Sequence, residues 1–185
     1  VSYGRCLIYG GGESAITLAK KLTDDLGVTV MLTPDDADVM VDSFPFTVTT
    51  GLIKSAAGSF TRFNLTIDHF GEALPHSRSE LEFGPLANGV ESSCDMLIDL
   101  TGGTPLFTGW EKRDGYFRCD ANDISRLAEV EMTARGMIGE FEKPIYVNFD
   151  ENLCAHSRNS LPGCSRCLDV CPAGAITSAG DTVAI

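Results

Sequence analysis

The stretch that decides the fold is Cys6-Leu-Ile-Tyr9, then Gly10-Gly-Gly12-Glu13-Ser14-Ala15, and, after a helical run, Val28-Thr-Val-Met-Leu32. The first segment is a short apolar strand and the last is β-branched and apolar, as strands are. Between them Ala15, Leu18, Ala19, Leu22 and Leu26 recur at intervals of three and four, which places them on one helical face. Gly27 is suited to the C-terminal cap of that helix. Strand, helix and strand within about thirty residues make a parallel crossover unit, whose sheet needs cover on both faces. Gly10, Gly12 and Ser14 sit where G-x-G-x-x-A turns let a dinucleotide, FAD or NAD(P), bring its pyrophosphate to a helix N-terminus. Two features weigh against a nucleotide. Thr33 stands where an acidic residue would grip the ribose, with Asp35 and Asp36 just beyond, and Glu13 sets a negative charge at the helix start. A tight turn in a nucleotide-free Rossmann-like fold is the alternative.

Working outward, Thr47 to Lys54 and Ser59 to Asp68 read as two strands flanking a turn at Gly58, with Phe63, Leu65 and Ile67 alternating as in a half-buried strand. Residues 71–93 are rich in Pro, Ser, Gly and charge and read mostly as loop. Asp95 to Leu100 is a further buried strand running into Thr101-Gly-Gly103. A helix is expected over 122–139, capped by Asp120 or Asn122, with Ile124, Leu127, Val130, Ala134, Met137 and Ile138 inward. Pro144 opens a strand, Ile145 to Phe149, that delivers the chain to Cys154. The expected organisation is a Rossmann-like α/β domain over 1–143 and a smaller segment over 144–185. Val1 in place of a methionine, and a strand in progress at Asp181–Ile185, suggest a piece of a longer protein.

Apolar residues make up 43% of the chain, enough for a core, and the mean hydropathy is +0.04. No apolar run approaches the ~20 residues of a spanning helix, so no membrane insertion is expected. Fourteen basic against 26 acidic residues give a net charge of -12, which disfavours nucleic acid and anionic membrane and suits docking to a basic protein. Seven cysteines are present, four of them between Cys154 and Cys171. Crowding of that kind, with no secretory signal, points to a cytoplasmic metal or redox site rather than a disulfide framework. Cys6, Cys94 and Cys119 are scattered and read as small buried side chains. His69 and His76 have no evident partner, and no arrangement typical of hydrolysis is present.

Cys154, Cys164, Cys167 and Cys171 precede Pro172 in the spacing C-x9-C-x2-C-x3-C-P. Thiolates are soft ligands for iron–sulfur clusters, zinc or monovalent copper. The short steps from Cys164 to Cys171 wrap the backbone tightly enough for thiolates to converge on a cube, and Pro172 turns the chain away. A structural zinc site is the rival, although zinc sites pair two separated C-x2-C knuckles and only one is present. His156 could replace a thiolate but reads as a loop residue, because four cysteines suffice. Residues Ala155 to Gly163 would form a surface loop.

The segment Cys164 to Ile176 resembles the bacterial-type [4Fe–4S] ferredoxin motif, with its first gap stretched from two residues to nine. The resemblance implies that Cys154, Cys164 and Cys167 hold one cluster and that Cys171 reaches toward a second. Its partner motif would begin about where the chain stops, so this piece is expected to lack a full ligand set for either cluster, unless all four cysteines fold back onto one. Leu168, Val170 and Ile176 would exclude water from the site. The glycine turn, the runs around Gly58 and Asp95-Met-Leu-Ile-Asp-Leu-Thr-Gly102 are similar to flavin-binding domains. Together with the ferredoxin motif they resemble the A subunit of heterodisulfide reductases, with Leu100 where alanine is usual. What this implies is an electron carrier, or a component of a redox complex, that serves a partner oxidoreductase. A flavin- or nicotinamide-dependent oxidoreductase and a zinc-stabilised interaction module stay open as alternatives.

Overall fold

The computed structural model describes residues 1–40, 44–74, 81–107, 113–141, 149–156, 164–171, 174–180 and 182–184. The chain divides into two compact units, Val1–Phe141 and Glu142–Ile185.

In the first unit, strand β1 (Arg5–Tyr9) runs through the glycine turn into helix α1 (Gly12–Leu22) and on to β2 (Gly27–Leu32). The helix ends at Leu22 with Thr23 as its cap, so Gly27 opens the next strand instead of closing the helix. The chain continues through β3 (Thr47–Ser59), β4 (Arg62–Glu72), β5 (Val90–Cys94), β6 (Met96–Asp99), β7 (Tyr116–Arg118) and helix α2 (Ile124–Arg135). These strands form one sheet in the order β5-β4-β3-β2-β1-β6-β7. The pairs β3–β2, β2–β1, β1–β6 and β6–β7 are parallel, whereas β3–β4 and β4–β5 are antiparallel. The sheet is therefore mostly parallel and Rossmann-like, with an antiparallel meander at one edge.

With so few helices, the cover for the second sheet face has to come from elsewhere. Alternate residues of β1 supply two cores. Cys6 and Ile8 pack with Ala15, Leu18, Ala19 and Leu22 of α1 and with Val130 and Ala134 of α2. Leu7 and Tyr9 point the other way and pack with Phe63, Leu65 and Ile67 of β4 and with Leu97. The meander thus does on one face what helices do in an ordinary doubly wound sheet. Two register shifts interrupt the β3–β4 pairing, at Thr50/Leu52 and Ile53/Ser55, and irregularities of this kind bend a strand and increase its twist. Gly51 lies at the first, where a Cβ would come within 2.7 Å of Ile67 Cγ2.

Several expectations need correction. Strand β5 lies inside the segment read as loop; its sequence, Val-Glu-Ser-Ser-Cys, has no apolar alternation because its middle is exposed. The β3–β4 turn falls at Phe60-Thr61 rather than at Gly58, which sits in the last turn of β3 with φ +97. Asp123 caps α2, accepting from the Arg126 amide, in place of Asp120 or Asn122. Ile124 is 82% exposed and Ile138 is 44% exposed, so neither is inward. His69 lies in β4, its amide donating to Asn88 Oδ1, while His76 falls outside the described residues. Most of the expected strand Ile145 to Phe149, and residues 157–163 of the expected loop, also fall outside them.

In the second unit, helix α3 (Arg166–Val170) is followed by a hairpin of β8 (Thr177–Ser178) and β9 (Val183–Ala184), which pair antiparallel. Among the described residues no helix is long and apolar enough to cross a membrane.

Candidate functional site

The first unit has its topological switch point between β1 and β6, where strand order reverses and open α/β sheets bind ligands. The glycine turn lies there. Gly10, Gly11 and Gly12 all have positive φ, of 70°, 87° and 50°, which side chains rarely tolerate. Protein atoms, however, already approach these glycines closely. A Cβ on Gly10 would stand 2.6 Å from Thr101 Cγ2, and one on Gly11 would stand 2.7 Å from Leu100 Cβ. The Leu100 amide donates to the Tyr9 carbonyl, which draws the chain after β6 against the turn. Leu100, the residue that departs from the flavin-domain pattern, is itself buried over Gly11.

An internal carboxylate engages the helix start. The Gly11 amide donates to Asp36 Oδ2 at 2.7 Å, and Glu13 Oε1 accepts from the Met40 amide at 3.0 Å. Residues 33–40 are held over the turn by these two acids, with Val39 buried beneath them. Asp36 Oδ1 is also buried and accepts no hydrogen bond among the described residues. One of the amides that a pyrophosphate needs is therefore taken by a negative group, and the first turn carries Glu13 and no base. A pyrophosphate does not fit this turn as it stands. Ser14, the third residue of the expected nucleotide set, donates its amide to the Gly11 carbonyl and lines a groove between α1 and α2. Asp36 was not legible as the partner of the turn, because it lies beyond the strand end where a ribose ligand is sought.

The remaining buried acids of this unit are structural. Asp99 accepts from Thr101 Oγ1 at 2.7 Å and from the Tyr116 hydroxyl at 2.8 Å. Asp95, fully buried, accepts from the amides of Tyr3 and Arg5 and from the Arg5 guanidinium at 2.7 Å. Burial alone would raise the Asp95 carboxyl; the Arg5 side chain and the two amides outweigh it and hold it below its ordinary value. Cys6, Cys94 and Cys119 are all buried. Burial pushes their thiols up, Cys94 to about 12, so none is a ready thiolate.

No protein-family model and no curated protein matches this chain. Among solved structures, it is similar to an oxidoreductase from Agrobacterium tumefaciens at 13% identity and a TM-score of 0.33. The likeness covers 54% of this chain and 36% of that one, so the chain spans about a third of that protein's length. It is too slight to bear on fold or chemistry, and the Rossmann-like assignment stands on strand order alone.

The four clustered cysteines all belong to the second unit. Cys164 precedes α3, Cys167 lies on it and Cys171 is its C-terminal cap. Cys167 is exposed, and Cys154, Cys164 and Cys171 are half-buried. Four soft thiolates in one small unit fit an iron–sulfur cluster in kind. They are not yet gathered at one point, since among the described residues no group of three or more His, Cys, Asp or Glu is placed to hold a metal ion. The expected apolar shelter is also incomplete, because Val170 is 72% exposed while Leu168 and Ile176 are half-buried.

His156 lies in a turn, as expected of a loop residue, but it is only 4% exposed, with Nδ1 3.1 Å from the Cys164 carbonyl oxygen and Nε2 3.1 Å from Ser178 Oγ. A second tie runs from Thr182 Oγ1 to Glu151 Oε1 at 2.6 Å. The segment carrying Cys154 is thus bound by side chains to the β8–β9 hairpin on both sides of that cysteine. A histidine two residues from a cysteine gave no sequence signal of this role.

Proposed function

We propose that the chain belongs to an electron-transfer protein whose second unit carries a ferredoxin-type [4Fe–4S] site, with Cys154, Cys164, Cys167 and Cys171 as thiolate ligands. The observation that carries this reading is the C-x2-C-x3-C-P run, set on and around α3 with Cys154 tied alongside. When bound, such a cluster accepts and passes single electrons. The protein's own residues hold the thiolates in place and set how much water reaches them. The Rossmann-like unit serves as a scaffold. Its glycine turn is occupied by Asp36, Leu100 and Thr101, which supports a nucleotide-free role over a flavin- or nicotinamide-dependent one. The partner is a redox protein, and the acidic surface suits one with a basic docking face.

Low-temperature electron paramagnetic resonance of the chain, supplied with iron and sulfide and reduced without oxygen, tests this. A reduced-cluster signal is expected. A flavin radical would favour the nucleotide reading, and a silent sample containing zinc would favour the structural module.

A further inference from the structure

The usual ferredoxin motif brings its first two cysteines together with a two-residue step, whereas here nine residues separate Cys154 from Cys164. A longer connection dilutes one end about the other, so the chain needs another way to hold the first ligand near the rest. We infer that His156 is the positioning residue that does so: its imidazole spans the neck of the insertion and fixes Cys154 relative to Cys164. This inference rests on the iron–sulfur reading for its purpose, though its geometry stands apart from it.

The ring is buried and engaged at both ends. A carbonyl oxygen only accepts, so Nδ1 carries the proton that is donated to Cys164. Nε2 lies 3.1 Å from the Ser178 hydroxyl, which can donate to it or accept from it. One bond grips the backbone of a ligand residue and the other anchors the ring to β8. With the strut in place, two residue steps separate Cys154 from a fixed point, instead of the ten steps that lead to Cys164. Loop-closure scaling with the power 3/2 sets about tenfold as the upper bound on the gain in effective concentration of the Cys154 thiol near Cys164, since the Glu151–Thr182 bond restrains the same segment. The residues between can then vary in length and sequence without moving the first ligand.

Disulfide trapping reads this position directly on the metal-free chain, where both thiols can undergo exchange. The whole chain, treated with oxidised glutathione and mapped by mass spectrometry, should form the Cys154–Cys164 disulfide faster than His156→Ala, by up to about tenfold. His156→Asn, which keeps a donor near Nδ1, should recover part of the rate, and Ser178→Ala should lose less than His156→Ala. Equal trapping in wild type and His156→Ala overturns the strut. A loss that His156→Asn does not recover assigns the effect to packing and overturns it too. Iron and sulfide uptake, measured on parallel samples of the same chains kept reduced, keeps the two ideas separate. A wild-type chain that takes up no iron but shows the trapping difference sinks the iron–sulfur reading and leaves the strut standing.

Discussion

Replacing Gly10 by alanine should cost stability, and a sizeable part of the cost should depend on one methyl group of Thr101. Gly10 has φ +70, a conformation that costs an L-residue about 1–2 kcal/mol. Its new Cβ would stand 2.6 Å from Thr101 Cγ2, and forcing a methyl into a packed site costs about 1–3 kcal/mol. Gly10→Ala should therefore destabilise the first unit by about 2–5 kcal/mol. Thr101→Ser deletes the clashing methyl but keeps the hydroxyl that donates to Asp99. In that background Gly10→Ala should retain the backbone cost and lose much of the clash, a coupling of about 1–2 kcal/mol. The remaining approaches, to Thr101 Cα at 3.2 Å and N at 3.3 Å, are tight and explain why rescue would be partial. Urea unfolding followed by circular dichroism gives the four corners of the cycle, read from midpoints at unchanged slope. Strictly additive costs would refute the claim that the chain after β6 packs into the turn. They would leave the glycines as a nucleotide turn that protein does not fill.

Two further outcomes follow from the buried groups. Asp95 has a lowered carboxyl, so its contribution to stability is present above the unfolded value of about 3.9 and is lost as pH falls through the folded value. Asp95→Asn should cost about 2–3 kcal/mol at neutral pH and flatten the fall in urea midpoint below about pH 4; an unchanged acid limb would refute this. Alkylation of the native chain with iodoacetamide at mildly alkaline pH should label Cys167 first and leave Cys6, Cys94 and Cys119 unlabelled until denaturant is added. Peptide mapping reads both, and early labelling of Cys94 would contradict its burial.

Much of the first unit was legible because its signals are local. The alternation of β1, the helical face of α1 and the turn between them each depend on neighbours in sequence, and they appear where the pattern places them. What was not legible depends on tertiary partners. Strand β5 is polar because only its edge touches the core, so nothing in Val90–Cys94 announces a strand. Ile124 reads as inward by spacing but falls on the exposed first residue of α2, before the helix meets the core at Val130. The same holds at the sites. The spacing of Cys164, Cys167 and Cys171 is a local pattern and could be read directly. Asp36 at Gly11 and His156 at Cys164 are bonds across 25 and 8 positions, set by where the chain returns.

Iron and acid-labile sulfide, determined on the chain reconstituted without oxygen, separate a cluster from a structural metal most directly. Equal iron and sulfide, about four of each per chain, is expected of four thiolates on one [4Fe–4S] cluster. Zinc without sulfide would contradict this and leave the cysteines as a structural metal site.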